Sequence, residues 1–309
     1  MNFINKFCYY PAVNLKNIMH ILEFTGNTPL IQIEPGIYGK LETFNPTGSI
    51  KDRIAAYILN HSLNAGIIKK GDTVIEATSG NTGIAMSWAC SVFGLKMIVV
   101  MPSNMSQSRK NMIKFFGGEL IEVGPSDFQG ACELRDQLVK EKGYFTPNQF
   151  ANPLNTECHY QTTGTEIINQ LPNNIILDAF VAGVGTGGTF MGAGQKLKEK
   201  FPNIKLIPVE PVESAILNGT PAEDCQPHGI QGIGDGFIPE LMDISIITEV
   251  ATVSTEQAIQ AAKDLAKIGI LCGISGGANY YAAKQLKDRG IKNIVTIICD
   301  RAERYSELI

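Results

Sequence analysis

The sequence predicts an α/β protein built from two open, mostly parallel, twisted sheets flanked by helices. Two observations carry this. Short β-rich runs alternate with helical patterns from Thr73 onward, and turns rich in Gly, Ser and Thr lead from strands into helices. Alternation of this kind implies crossover units, and these build parallel sheets covered by helices. The length points to two domains: 309 residues is twice the usual allotment of roughly 150 per domain.

The elements follow in order. "TVIEA" (73–77) reads as a strand, "TSGNTG" as a turn and "IAMSWACSVFG" as a helix. "KMIVVMP" with "SQSRKNMIKFFG", and "ELIEVG" with "ACELRDQLVKEKG", repeat the unit. Further on come "AFVAGV", a glycine loop, "MGAGQKLKEKF", the strand "KLIPVE" and, near the end, "NIVTIIC". "STEQAIQAAKDLAKIG" opens with Ser254 and Gln257 in capping-box spacing, and Gly269 stands where a helix closes. Trp88, Phe115 and Phe116 lie at helical spacing and are expected in the core. The chain breaks at "QFANPLN" (149–155), where Asn and Pro cluster.

Composition narrows the function. Lys and Arg total 26 against 30 Asp and Glu, a formal net charge of −4, which leaves no basic footprint for nucleic acid or an anionic membrane. The apolar stretch "IAMSWACSVFGLKMIVVMP" contains Gly94 and Lys96, and a membrane span needs about 20 nearly uncharged residues. The start of the chain lacks the apolar core of a signal peptide. Seven cysteines, none in a C-x-x-C pair, predict free thiols in a reducing compartment, with no disulfide and no metal cage. A cytoplasmic protein is expected.

Two loops have the composition of anion cradles. "TSGNTG" (78–83) follows a strand and opens a helix, so its hydroxyls, the Asn81 amide and its backbone N–H groups suit a carboxylate. "GVGTGGT" (183–189) sits in the same context and suits a phosphate. Gly183, Gly185 and Gly188 also satisfy G-x-G-x-x-G, with Glu210 placed as a ribose-binding acid would be. A nicotinamide enzyme is thus a formal alternative, but it leaves "NPTGSIKDR" (45–53) without a purpose. That segment holds Lys51 between a rigid turn and a helical pattern. A fixed lysine, a phosphate cradle and a carboxylate cradle together point to pyridoxal 5'-phosphate, an electron sink that lysine amines bind covalently.

At these residues the sequence resembles the cysteine synthase (O-acetylserine sulfhydrylase) family, of the tryptophan-synthase-β-like fold type II of pyridoxal phosphate enzymes. The resemblance runs from "TGNTPL" nearly to the C-terminus, through "NPTGSIKDR", "IEATSGNTG", "MPSNMSQSR", "QFANP", "GVGTGGT", "PHGIQGIGDGFIP", "CGISGG" and "DRAERY". It implies that Lys51 forms the Schiff base with the cofactor and Asn81 meets its phenolic oxygen. Gly185, Thr186, Gly187, Gly188 and Thr189 would hold the phosphate, and Ser275 the pyridine nitrogen. Thr78, Ser79, Gly80 and Thr82, with Gln149, would close on the substrate carboxylate. The cofactor would lie between a smaller mobile domain, 43–152, and a larger one formed by 1–42 and 153–309. The implied reaction makes L-cysteine from O-acetyl-L-serine and sulfide through an aminoacrylate. A homodimer, and a complex with serine acetyltransferase, are implied as well.

Three departures from the family pattern keep alternatives open. Asp235 follows "GIG" where a small apolar residue is usual, Arg301-Ala302 stands where a small or polar residue and a glycine are usual, and "CGISGG" lacks the commoner double serine. Asp235 borders the substrate in the family, so it either biases the site toward another donor or acceptor, as in cystathionine β-synthase-like chemistry, or points to solvent. A non-catalytic regulatory paralogue is the alternative of another class. Cys272 is expected to pack rather than react, His159 and His228 to be hydrogen-bonded structural residues, and Cys8 and His20 not to bind haem.

Overall fold

The computed structural model describes residues 20–78 and 80–305. Two sheets organise them. The smaller holds β3 (Thr73–Ala77), β4 (Lys96–Pro102) and β5 (Glu119–Val123), all parallel, in the order β3-β4-β5. The larger has six strands in the order β1-β2-β9-β6-β7-β8. These are β1 (Leu30–Glu34), β2 (Ile37–Leu41), β6 (Ala179–Gly183), β7 (Lys205–Pro211), β8 (Ala251–Val253) and β9 (Ile294–Ile298). Only β1 runs antiparallel, as one arm of a hairpin with β2. Strand β2 pairs in parallel with β9, so a segment near the start of the chain shares a sheet with its last strand.

Each sheet buries both faces, as parallel sheets must. On one face of the large sheet, Val181, Ile207 and Ile298 pack against α8 (Thr255–Lys267) and α9 (Ile274–Asp288). On the other, Phe180, Leu206 and Val295 meet α7 (Gly188–Lys200), which follows the short helices α5 (Pro153–His159) and α6 (Thr165–Gln170). The small sheet lies between α1 (Lys51–Asn64) with α2 (Asn81–Phe93) on one side and α4 (Phe128–Lys142) on the other. Ser254 and Gln257 form the capping box that their spacing predicts.

The aromatic expectation fails at one residue. Trp88 is buried and Phe116 packs against the core, but Phe115 is 82% exposed. It ends α3 (Gln107–Phe115), whose inward face is set by Arg109, Lys110 and Ile113. Two residues beyond Ile113 the helix has turned about 200°, so Phe115 faces away from the core.

Buried charge ties the small sheet to the cleft. Glu76 on β3 is fully buried, 3.1 Å from the Arg135 guanidinium of α4, and its other oxygen accepts from the Gln149 N–H. Burial raises the Glu76 pKa, against the pull of Arg135. Arg135→Met should therefore strand a buried carboxyl and cost about 3–5 kcal/mol. Urea unfolding should show the midpoint dropping with an unchanged m-value, and a midpoint that stays put would refute the pairing's importance.

Candidate active site

Strand ends from both sheets converge on one cleft. Lys51, Thr78, Gly80, Asn81, Thr82 and Gln149 line one part, and Gly185, Thr186, Gly187, Thr189 and Ser275 the other. Among the residues the sequence assigns to the site, Gly188 sits behind the wall, and Ser79 lies outside the described residues.

Lys51 is the first residue of α1 and is held from behind. The Ile50 N–H donates to the Cys299 carbonyl at 2.9 Å, and Ser49 bridges to Asp300, so the turn is stitched to the end of β9. Gly48 has φ +84°, which L side chains rarely adopt, and an added Cβ would sit 3.0 Å from Arg301 Cδ. Next in sequence, Asp52 accepts from the Thr47 N–H and hydroxyl, bracing the turn. Burial holds the Lys51 pKa below its ordinary value, outweighing attraction from Cys299, Asp235 and Asp300. The amine is thereby biased toward its neutral, nucleophilic form.

The cradle at 185–189 is made of backbone. Strand β6 ends at Gly183 and α7 begins at Gly188, leaving the first N–H groups of the helix turned toward the cleft. A Cβ on Gly185 would lie 2.3 Å from the Gly232 carbonyl oxygen, and one on Gly188 2.0 Å from Asn155 Oδ1. Gly187 has φ +83°. Asn155 donates to Thr186 Oγ1 at 3.0 Å, while its own Oδ1 is buried without a partner among the described residues. Thr189 Oγ1 lies 3.1 Å from His159 Nε2, and His159 Nδ1 lies 2.9 Å from Thr163 Oγ1. Burial keeps this imidazole neutral, its pKa well below the ordinary value. His159 is thus hydrogen-bonded, as the sequence predicts, and it orients one wall of the cradle.

The second loop closes the opposite side. Thr78 Oγ1 accepts from the Gly80 N–H at 3.2 Å, and the Thr82 hydroxyl donates to Gln149 Oε1 at 2.7 Å. Asn81 Nδ2 donates to Asp300 Oδ2 at 2.7 Å, while Arg304 donates to Asn81 Oδ1 and to the Thr47 carbonyl. Asp300 also accepts from the Tyr305 hydroxyl at 2.6 Å. Ser275, in the first turn of α9, is 5% exposed and faces the cleft with a hydroxyl and no carboxylate.

Sequence reasoning missed Arg109. Its side chain is 4% exposed, lines the cleft, and has a buried Nε with no partner among the described residues. The guanidinium lies 5.2 Å from the Tyr305 ring centroid, and a Cβ on Gly80 would touch Nε at 2.7 Å. The only signal was its place as the last residue of "MPSNMSQSR". Asn155 and Asp300 were passed over in the same way, inside motifs read for other residues.

The remaining expectations resolve simply. Glu210 accepts from the Leu217 and Asn218 N–H groups at 3.1 and 3.2 Å and does not line the cleft, which removes the acid a nicotinamide site would use. Cys272 packs in the core, its thiol pushed up by burial. His228 is hydrogen-bonded too, its Nε2 donating to the Gly234 carbonyl at 3.0 Å. His20 caps a short 3-10 helix, and Cys8 lies outside the described residues. Arg301 reaches the Thr43 carbonyl and Ala302 is buried, and neither lines the cleft. Among the described residues no helix could cross a membrane, and no cluster of His, Cys, Asp and Glu could hold a metal ion.

Pyridoxal phosphate fits these residues: a phosphate-sized cradle whose glycines a Cβ would fill, and a lysine of lowered pKa sharing its cleft. The chain belongs to the pyridoxal-phosphate dependent enzyme family, whose sequence pattern matches residues 21–300. Within it, the chain is 42% identical to the cysteine synthase of Staphylococcus aureus over 301 residues, 94% of this chain and 96% of the relative. Two solved structures are similar at 39% identity. One is O-acetylserine sulfhydrylase isoform 3 from Entamoeba histolytica, TM-score 0.87, covering 94% of this chain and 91% of that one. The other is a hydrogen sulfide-producing enzyme from Fusobacterium nucleatum, TM-score 0.88, covering 93% and 89%.

Proposed function

We infer that this enzyme makes L-cysteine by β-replacement, with O-acetyl-L-serine as donor and sulfide as acceptor. The observation that carries this reading is the placement of Lys51, whose amine shares one cleft with an anion cradle at 185–189 and a second polar loop at 78–82. Bound pyridoxal phosphate supplies an electron sink that makes the substrate α-proton acidic and the β-substituent a leaving group. In this reading Gly185, Thr186, Gly187, Gly188 and Thr189 hold its phosphate, Asn81 its phenolic oxygen, and Ser275 its pyridine nitrogen.

The other roles fall to the chain itself. Lys51 would anchor the cofactor and, once freed, take the α-proton; a lowered pKa biases the amine toward the neutral form this needs. Thr78, Ser79, Gly80, Thr82 and Gln149 bind the substrate carboxylate, and the Arg109 guanidinium adds a positive charge behind that loop. A serine hydroxyl at the pyridine nitrogen leaves that nitrogen unprotonated, where a carboxylate would hold a proton on it. With Ser275 in that place, loss of the β-substituent would compete with return of the α-proton.

The two separate sheets support a division into 43–152 and 1–42 with 153–309, in which closure of the smaller part would bring the carboxylate loop onto the substrate. A homodimer and docking of a serine acetyltransferase tail in the cleft rest on the family resemblance, and a cytoplasmic location on the unpaired spacing of the cysteines. The test supplies holoenzyme with O-acetylserine and, in separate reactions, sulfide, thiosulfate or homocysteine. Cysteine should form with sulfide at the highest rate. Faster turnover with homocysteine would instead favour cystathionine formation, and no product with any acceptor would favour a regulatory role.

A further inference from the structure

Both hydroxyls of the 185–189 cradle are held from behind by one short helix. α5 carries Asn155 and His159 one turn apart, so the two side chains are neighbours on one face. That face lies against the start of α7, where Gly188 and Gly192 repeat the spacing. A Cβ on Gly188 would meet Asn155 Oδ1 at 2.0 Å, and one on Gly192 would meet the Thr156 carbonyl oxygen at 2.1 Å and His159 Cβ at 2.9 Å. The bare glycines let Asn155 and His159, both buried, reach Thr186 and Thr189.

The Asn155 contact has a fixed direction. Its Nδ2 donates to the Gln149 carbonyl at 2.8 Å as well as to Thr186 Oγ1 at 3.0 Å. A carbonyl only accepts, so the amide nitrogen, and not the amide oxygen, must stand there. That nitrogen can only donate to Thr186. A hydroxyl has two lone pairs and one proton. Asn155 fills one lone pair and the Gly188 N–H, 3.5 Å away, lies toward the other, which leaves the Thr186 proton to the cleft.

His159 completes the pair. Burial keeps its ring neutral, so one nitrogen donates and the other accepts. Thr163, fully buried in the π-helical turn Tyr160–Gly164, faces Nδ1 at 2.9 Å. With Thr163 donating to Nδ1, the ring proton sits on Nε2 and is donated to Thr189 Oγ1 at 3.1 Å. The Thr189 proton is then left to the cleft as well. The opposite tautomer would take that proton and turn a lone pair toward the cleft.

We propose that Asn155 and His159 are positioning residues that set the polarity of the cradle, so that Thr186 and Thr189 each present a proton to a bound phosphate ester. The proposal rests on the reading of 185–189 as the cofactor's phosphate site. A phosphate dianion only accepts, so a hydroxyl turned the other way forfeits its hydrogen bond and sets two lone pairs face to face.

The test dialyses protein freed of cofactor against pyridoxal 5'-phosphate and, separately, against pyridoxal, which lacks the phosphate. The ratio of the two affinities isolates the phosphate's share. Asn155→Ala and His159→Ala should each lower that ratio roughly tenfold, the scale of one hydrogen bond to a charged group. His159→Gln, whose amide N–H can replace that of Nε2, should restore most of the loss. In a Thr186→Val background Asn155→Ala should lower the ratio no further, because the hydroxyl it directs is gone. Circular dichroism reports which variants fold, and ¹⁵N NMR of the parent holoenzyme, which needs no variant, should find the His159 proton on Nε2. A proton on Nδ1, or an unchanged ratio in the folded alanine variants, overturns the proposal and leaves the phosphate site intact. A parent that binds pyridoxal as tightly as its phosphate ester overturns both.

Discussion

Lys51→Ala should reduce turnover by a factor on the order of 10⁴ or more, the scale seen when a covalent catalytic group is lost, while the protein still folds. No packed element hangs on the Lys51 side chain. Its backbone is held by the Ile50 and Ser49 links to the end of β9, and these survive the substitution. The same variant site carries a stability signature. The Lys51 pKa in the folded chain lies below its ordinary 10.5 because burial disfavours the charged amine. Above 10.5 the amine is neutral folded or unfolded, so it costs nothing. As pH falls from there toward the folded-state pKa, the unfolded chain takes up a proton that the folded chain resists, and stability is lost. Lys51→Met removes that loss. In protein freed of cofactor, Lys51→Met should therefore melt above the parent at pH 7, with the gap closing as pH rises through 10.5. Equal melting temperatures at pH 7 would show that the amine is well solvated.

Gly185→Ala should be the most damaging single-methyl change in the cofactor cradle. The new Cβ would sit 2.3 Å from a backbone oxygen, that of Gly232, which cannot rotate away as a side chain can. Gly232 in turn belongs to the loop pinned through Gly234. Overpacking of this kind costs about 1–3 kcal/mol, and the relief available is to open the phosphate loop. Cofactor affinity should accordingly fall roughly tenfold or more, tenfold being 1.4 kcal/mol. Equilibrium dialysis against pyridoxal phosphate checks this directly. A variant that binds as the parent does would mean the loop at 232–236 gives way freely.

How far the sequence could be read depended on how local each cause was. Strand and helix order was legible because burial on both sheet faces produces continuous apolar runs, as in "KMIVVMP", and because Ser254 and Gln257 cap their own helix. Lys51, Asn81 and the 185–189 loop were legible because each sits where a strand hands over to a helix, and glycine, serine and threonine mark those places. Phe115 misled because helical spacing gives a period but not which face is inward, and that was decided by Ile113 meeting the small sheet. Arg109 and Asp300 were hidden for a different reason. Arg109 matters by lying against Gly80 and Tyr305, and Asp300 by accepting from Asn81 and Tyr305. Contacts with residues far off in sequence leave no local mark. Asp235 stood out only against the family pattern, and its place on the cleft lining needed the fold.

On the reading proposed above, Lys51 anchors the cofactor in the cleft between the two sheets. Borohydride reduction of the holoenzyme fixes the pyridoxyl group to whichever amine carries it, and proteolysis with mass spectrometry then locates the label. One labelled peptide is expected, containing Lys51. A label on Lys40, Lys110 or any other lysine would contradict it.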